Sequence, residues 1–312
     1  MIKSPILRWV FLLFLTVTVV FMVTACDGES TEENTAFTAT GGIHIATKNT
    51  PEQNILANLA KLLIAEKMGV DAEIVYYDDS TSATLLEKLD HQEIQLFFDY
   101  SGSLAVNALS IDTAKVNTAT LLMEVQNTVK KQYEISVSEE IGYNSTTALY
   151  MMSDRNGELK FPSNISAIAK LSDQLTIGME EDFYRRVDCY EALCAAYGLA
   201  FSKATVYNEE DGFMALANNN IDIFITDSVS PYYSLFDMVQ IKDDQYFFLP
   251  QDTCYLVSNQ ALKNYPDLES TLSLMEGLIS TGRMSLMIRR IDWEGNNIAD
   301  YLYTYLRANN II

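Results

Sequence analysis

The chain has 312 residues, 48% apolar and 20% charged, which is the composition of a globular protein and not of a disordered or fibrous one. Forty-two acidic residues against 21 basic ones give a formal net charge of −21, and a surface that acidic repels phosphate and argues against nucleic-acid binding. Two histidines and four cysteines leave little material for a His/Cys metal site, so no metal or cofactor is expected.

The N-terminal segment carries Lys3 and Arg8, then an apolar run from Trp9 to Val23 that ends in Val23-Thr24-Ala25-Cys26. A positive start, a short apolar stretch and small closing residues read as an export signal, whereas a membrane span wants about 20 apolar residues. The Cys after Thr-Ala resembles the lipobox of bacterial lipoproteins, in which cleavage precedes the cysteine and its thiol carries the lipid. Residues 1–25 are then a signal peptide, Cys26 the lipid anchor, and the product sits on the extracytoplasmic face of a cell membrane. Residues 26–41 are polar, acidic and aperiodic, as suits a flexible tether.

From Ile43 onward short apolar runs alternate with helical stretches, which predicts α/β architecture. Residues 43–47 read as a strand. Thr50 suits an N-cap, Pro51 the first helical position, and Gln53 the reciprocal partner of a capping box. Ile55, Leu59, Leu62 and Leu63 form an apolar stripe, Gly69 closes the helix, and residues 73–77 form the next strand.

An internal echo follows. The helix around Leu85-Leu86-Glu87-Lys88-Leu89 leads through a polar turn into residues 94–98 and then Asp99-Tyr100. The helix around Phe213-Met214-Ala215-Leu216 leads through Asn218-Asn219-Asn220 into residues 221–226 and then Asp227. Two similar lobes facing each other explain the repetition, and ligands in such sheets sit beyond the carboxyl ends of strands, which places Asp99-Tyr100 and Asp227 near a cleft. Residues 142–150 and 247–257 fall where the chain crosses between lobes. Residues 266–278, 283–290 and 298–306 read as helices that return to the first lobe.

Taken together these segments resemble the glycine betaine/choline/carnitine-binding lipoproteins of quaternary-ammonium ABC importers, from about residue 42 to the C-terminus. The likeness rests on Lys48-Asn49 with Glu52-Gln53, Asp99-Tyr100-Ser101-Gly102-Ser103, Gly142-Tyr143-Asn144 with Thr146, Phe183…Arg186…Asp188 before Tyr197-Gly198, Phe247-Phe248 with Pro250, and Tyr265-Pro266. The resemblance implies a type II periplasmic-binding-protein fold, with lobe 1 at 42–143 plus 252–312 and lobe 2 at 144–251. It also implies lobe closure over a small ligand and docking on an ABC permease. A quaternary ammonium has no N–H, so such sites use aromatic faces worth about 0.5–2 kcal/mol each when desolvated. A ligand carboxylate is held separately by N–H or hydroxyl donors.

Several positions depart from the family pattern. Tyr100 keeps the first lobe's cage tyrosine, but Asp227, Gln251 and Thr147 stand where aromatics are expected. Ser80-Thr81 replaces a glycine pair, and Thr50 a phenylalanine. The candidate ligand-binding residues are Tyr100, Ser101, Ser103, Asn144, Thr146, Thr147, Asp227, Gln251, Gln53 and Arg186. Ser101 and Ser103 either donate to a ligand oxygen or cap the next helix. Asp227 either caps a turn or attracts a cation, and it would accept hydrogen bonds from an N–H ligand such as an amine, polyamine or amino acid. Arg186 pairs with Asp188 or touches ligand, and Gln53 caps its helix or faces the ligand. Cys189 and Cys194 bridge only if a turn separates them, since on one helix they point apart.

Two other functions compete with a solute receptor. A surface sensor or adhesin would keep the fold without transport. An enzyme on similar lobes is disfavoured, because neither His44 nor His91 lies in a cleft motif.

Overall fold

The computed structural model describes residues 42–113, 115–160 and 162–312. The expected signal peptide, the expected tether and Cys26 lie outside the described residues.

Strand β1 (Ile43–Thr47) leads into helix α1 (Pro51–Met68). Thr50 accepts the Gln53 N–H, Pro51 opens the helix, and Gly69 closes it in the left-handed region at φ 63° with its N–H on the Ala65 carbonyl. The capping box differs from expectation. The Gln53 side chain accepts from the Lys48 N–H at 3.0 Å instead of from Thr50, because Asn49 at φ 61° turns the chain and brings the earlier amide into range.

Strand β2 (Ala72–Tyr76) begins and ends one residue before the predicted strand. Helix α2 (Ser82–Asp90) starts at Thr81, whose hydroxyl accepts the Thr84 N–H, and is followed by β3 (Leu96–Tyr100). After α3 (Leu121–Gln132) and β4 (Ile135–Val137) the chain passes into a second sheet through β5 (Thr147–Met152). Helices α4 (Ser153–Glu158) and α5 (Ile165–Ala169) precede β6 (Thr176–Met179). Next come α6 (Glu181–Arg185), α7 (Tyr190–Tyr197), β7 (Lys203–Val206), α8 (Glu209–Ala217), β8 (Ile223–Asp227) and β9 (Met238–Ile241). Strand β10 (Thr253–Ser258) returns to the first sheet.

The sheets run β2-β1-β3-β10-β4 and β7-β6-β8-β5-β9. Each has two parallel pairings on one side of its central strand and two antiparallel ones on the other, so β3 and β8 hold equivalent central places. The equivalence extends to single residues. Each unit turns on one left-handed residue, Gln92 at φ 63° and Asn219 at φ 57°. Three residues later, the Gln95 and Asp222 side chains accept the His44 and Thr176 amides of the neighbouring strand. Five further on, Tyr100 and Asp227 end their strands at matching positions.

The closing helices α9 (Asn259–Asn264), α10 (Leu268–Leu272), α11 (Thr281–Ile288) and α12 (Ile298–Ala308) pack back on the first sheet. Leu268, Leu272, Met284, Met287, Leu302 and Leu306 share one buried cluster with Ile55, Leu59 and Leu63 of α1. Each such side chain contributes about 1.5–3 kcal/mol on burial. The predicted helix over 266–278 is broken, since Gly277 takes φ 65° and its N–H turns to the Ile141 carbonyl of the crossing segment.

Two antiparallel segments join the sheets. Asn144 bridges Asp252, the Ser145 amide reaches the Gln251 carbonyl at 3.1 Å, and the Thr253 amide reaches that of Tyr143 at 3.1 Å. Gly142 has φ 129°, and a Cβ there would stand 2.7 Å from the Ile279 carbonyl oxygen, so only glycine fits. Among the described residues no helix is long and apolar enough to cross a membrane. Cys189, Cys194 and Cys254 are free thiols, with Cys254 fully buried in β10.

Candidate functional site

The site lies where β3 and β8 end. Tyr100 is half-buried and pairs in register with Thr253. Burial, then the neighbouring Tyr143, Glu52 and Asp99, push its phenol well above the ordinary range. Tyr143 is buried beside Tyr100 and Thr253 without a well-aligned hydrogen bond, and it feels the charges of both Glu52 and Asp227. Glu52, in the first turn of α1, accepts the Ser145 hydroxyl at 3.3 Å.

Asp227 pairs in register with Thr147 of β5. Its Oδ1 accepts the Val229 N–H at 3.1 Å, the turn-capping role open to it from sequence. The carboxylate is open to cleft water, yet protein on either side removes enough solvent to raise its pKa. That loss, and then repulsion from Glu52, Glu209 and Glu180, lifts the pKa to about 6 against the opposing Val229 bond.

A cavity of about 570 Å³ opens beside Asp227, lined among others by Thr147, Glu180, Phe183, Arg186, Phe247 and Phe248. Phe248 stands 6.1 Å from Phe183 and 5.1 Å from Phe247, measured between ring centres. Asp243 holds this wall in place, since its carboxylate accepts the Phe247 N–H at 3.1 Å and the Phe248 N–H at 2.8 Å. A second cavity of about 550 Å³ shares Thr147 and Phe248 and reaches Asn144, Thr146 and Asp252.

The remaining predicted residues have partners within the protein. Ser101 is fully buried; its hydroxyl donates to the Pro250 carbonyl and accepts the Asp252 amide, both at 3.0 Å. The Ser103 amide donates to Gln251 Oε1 at 3.1 Å. Asn144 donates to Asp252 at 2.7 Å and accepts the Gln251 amide at 3.2 Å. The Thr146 amide donates to the Ser228 hydroxyl at 3.1 Å. Gln53 is buried at the start of α1. Arg186 makes a paired contact with Asp188 at the cavity rim, at 2.7 and 3.1 Å. Thus Thr147, Arg186 and Asp227 line one cavity and Asn144, Thr146 and Thr147 the second, Tyr100 at the matching strand end lines neither, and Ser101, Ser103 and Gln251 join Asn144 and Thr146 in a network across the crossing segments.

A family model described as the substrate-binding domain of the ABC-type glycine betaine transport system matches residues 41–308. The chain belongs to this family. It is the substrate-binding component of an ABC-type transport system. The chain is 25% identical over 271 residues to the carnitine transport binding protein OpuCC of Listeria monocytogenes, covering 86% of this chain and 87% of that one. It is also 25% identical over 247 residues to the ergothioneine transport permease/binding protein EgtU of Helicobacter pylori, 77% of this chain and 42% of that one. Among solved structures, a glycine betaine/carnitine/choline ABC transporter protein superposes with a TM-score of 0.79 at 22% identity, covering 86% of this chain and 99% of that one. Apo YehZ from Escherichia coli gives 0.76 at 14%, covering 87% and 100%. The fold is the type II periplasmic-binding-protein fold, as the resemblance implied.

Within this substrate-binding protein, sequence reasoning missed Glu180, Glu209 and the Phe183–Phe247–Phe248 wall as cleft features. Glu180 had a signal: it is the first residue after β6, as Lys48 is after β1. Lys48 itself spends its ammonium on the buried Asp99 at 2.7 Å and on Ser82 at 3.1 Å.

Proposed function

We propose that this chain is a lipid-anchored, extracytoplasmic receptor that captures a small cationic or zwitterionic solute of the glycine betaine, choline and carnitine class. It delivers that solute to an ABC permease. Its lobes are 42–143 plus 252–312 and 144–251, and they close on the ligand about the crossing segments. The chain performs no chemistry on the solute. Family membership and the carnitine-binding Listeria relative support the ligand class.

The observation that carries this reading is the matched placement of Tyr100 and Asp227 at the ends of equivalent central strands. Tyr100 offers a cation–π face, and Asp227 adds a carboxylate where bonds to a charged group contribute about 1.5–3 kcal/mol. Thr147 and Arg186 stand at the cavity; Ser101, Ser103, Asn144, Thr146, Gln251 and Gln53 hold the ligand's surroundings in shape. Cys26 carries the lipid that keeps the receptor beside its permease.

Calorimetry with choline, glycine betaine and carnitine tests the reading. The fluorescence of Trp293, whose ring stands edge-on to Tyr232 at 4.6 Å between centres, serves as a parallel optical readout of binding. The expected result is saturable binding of at least one of the three, weakened by both Tyr100→Ala and Asp227→Asn. Micromolar glycine betaine binding that ignores Asp227→Asn would remove Asp227 from the site.

A further inference from the structure

The cleft has few groups left for a ligand carboxylate. The Ser101 hydroxyl, the Ser103 amide, the Asn144 amide group and the Thr146 amide all donate to acceptors inside the protein. The two nearby cations are also engaged, Lys48 with Asp99 and Arg186 with Asp188, each at 2.7 Å. Against these stands Asp227, on which the charges of Glu52, Glu209 and Glu180 all act, with Glu180 bordering the same cavity. A ligand carboxylate placed beside Asp227 and Glu180 would meet like-charge repulsion, and the one cation among the described residues at this cavity, Arg186, already shares its guanidinium with Asp188.

The apolar side of the cavity is independent of that charge balance. Phe183, Phe247 and Phe248 form an aromatic wall on the same 570 Å³ space that Asp227 and Glu180 border, and Asp243 fixes two of the three through their backbone amides. Aromatic surface has therefore not left the cleft. It stands next to Asp227 and not at the position Asp227 occupies. A flat apolar wall beside a carboxylate suits an ammonium head with a hydrocarbon or aromatic body.

We infer that the cleft selects a net cation without a carboxylate, its ammonium facing Asp227 and Glu180 and its carbon skeleton lying against Phe183, Phe247 and Phe248. This rests on the receptor reading above and narrows it, excluding zwitterions such as betaine and carnitine as preferred ligands.

Matched pairs that differ by a carboxylate test it: choline against glycine betaine, phenethylamine against phenylalanine, and putrescine against ornithine, each titrated calorimetrically into the purified full-length chain. In every pair that binds, the member without the carboxylate is expected to bind at least about tenfold tighter. Asp227→Asn is expected to weaken that member by about ten- to hundredfold. Glu180→Gln, a second variant on a different element, is expected to weaken it in the same direction. A carboxylated member binding as tightly as its partner overturns the inference and leaves the receptor reading standing. Binding by none of the six overturns the receptor reading for these solute classes, and the inference with it.

Discussion

The two halves of the molecule solve the same local problem with opposite charges. In the first, the residue after β1 is Lys48, and its ammonium neutralises the fully buried Asp99 of β3 at 2.7 Å. In the second, the residue after β6 is Glu180, and the position matching Asp99 is Thr226, whose hydroxyl donates to Glu180 at 3.1 Å. One residue on, the strands end in Tyr100 and in Asp227. A closed ion pair with an aromatic thus faces a lobe that carries two uncompensated carboxylates. Equivalent backbones place these groups at equivalent points, so the difference in charge lies in side chains alone. The C-terminal ends of the two central strands thus carry a neutral aromatic group in one half and an anionic group in the other.

The strongest way to break this comparison is to remove the cation that makes the first half neutral. Lys48→Ala leaves Asp99 buried without a counter-ion, and such a loss costs about 3–5 kcal/mol, read as a fall in the midpoint of chemical denaturation. The matching change in the other half, Glu180→Gln, keeps the Thr226 hydrogen bond and is expected to leave the midpoint nearly unmoved. Equal effects at both positions would end the argument that only the first half is charge-balanced.

A smaller effect sharpens the contrast through pH. Asp227 titrates near 6 in the folded chain, above an ordinary carboxyl near 4, so the folded state holds its proton more tightly than the unfolded one. The group therefore subtracts stability above pH 6, and the penalty fades as pH falls towards 4. Asp227→Asn should raise the melting temperature at pH 8 and change it little at pH 4. Choline affinity should move the other way in the native chain, falling as pH drops through 6, because the protonated acid no longer attracts a cation. Melting curves and calorimetry across pH 4–8 check both signs.

The smallest expected change is at the rim. Arg186 and Asp188 are about two-thirds exposed, and such surface pairs are worth about 0–1 kcal/mol. Arg186→Ala should barely alter the melting temperature, and any large loss of stability would show that the pair does more than close on itself.

Much of the fold was legible because its signals are local. Thr50, Pro51 and Gly69 mark the ends of α1 through bonds spanning a few residues, and the repeated helix–turn–strand pattern located both Tyr100 and Asp227 at strand ends. Gln53 shows where local reasoning stops. A capping role was expected, but its partner depended on the left-handed turn at Asn49. The broken helix at Gly277 has the same origin, since its amide is recruited by Ile141 far along the chain.

What the amino-acid sequence determined by itself was the α/β alternation, the pairing of two similar lobes and the residues that end their central strands, all set by periodicity, caps and turn chemistry within a short span. What only the tertiary structure decided was which donors are already taken. Ser101 meets Pro250 and Ser103 meets Gln251 across nearly 150 residues of chain, and Phe183 joins Phe248 through the folding of a whole lobe. Hydrogen-bond satisfaction and charge balance depend on distance in space, and no spacing along the chain encodes them.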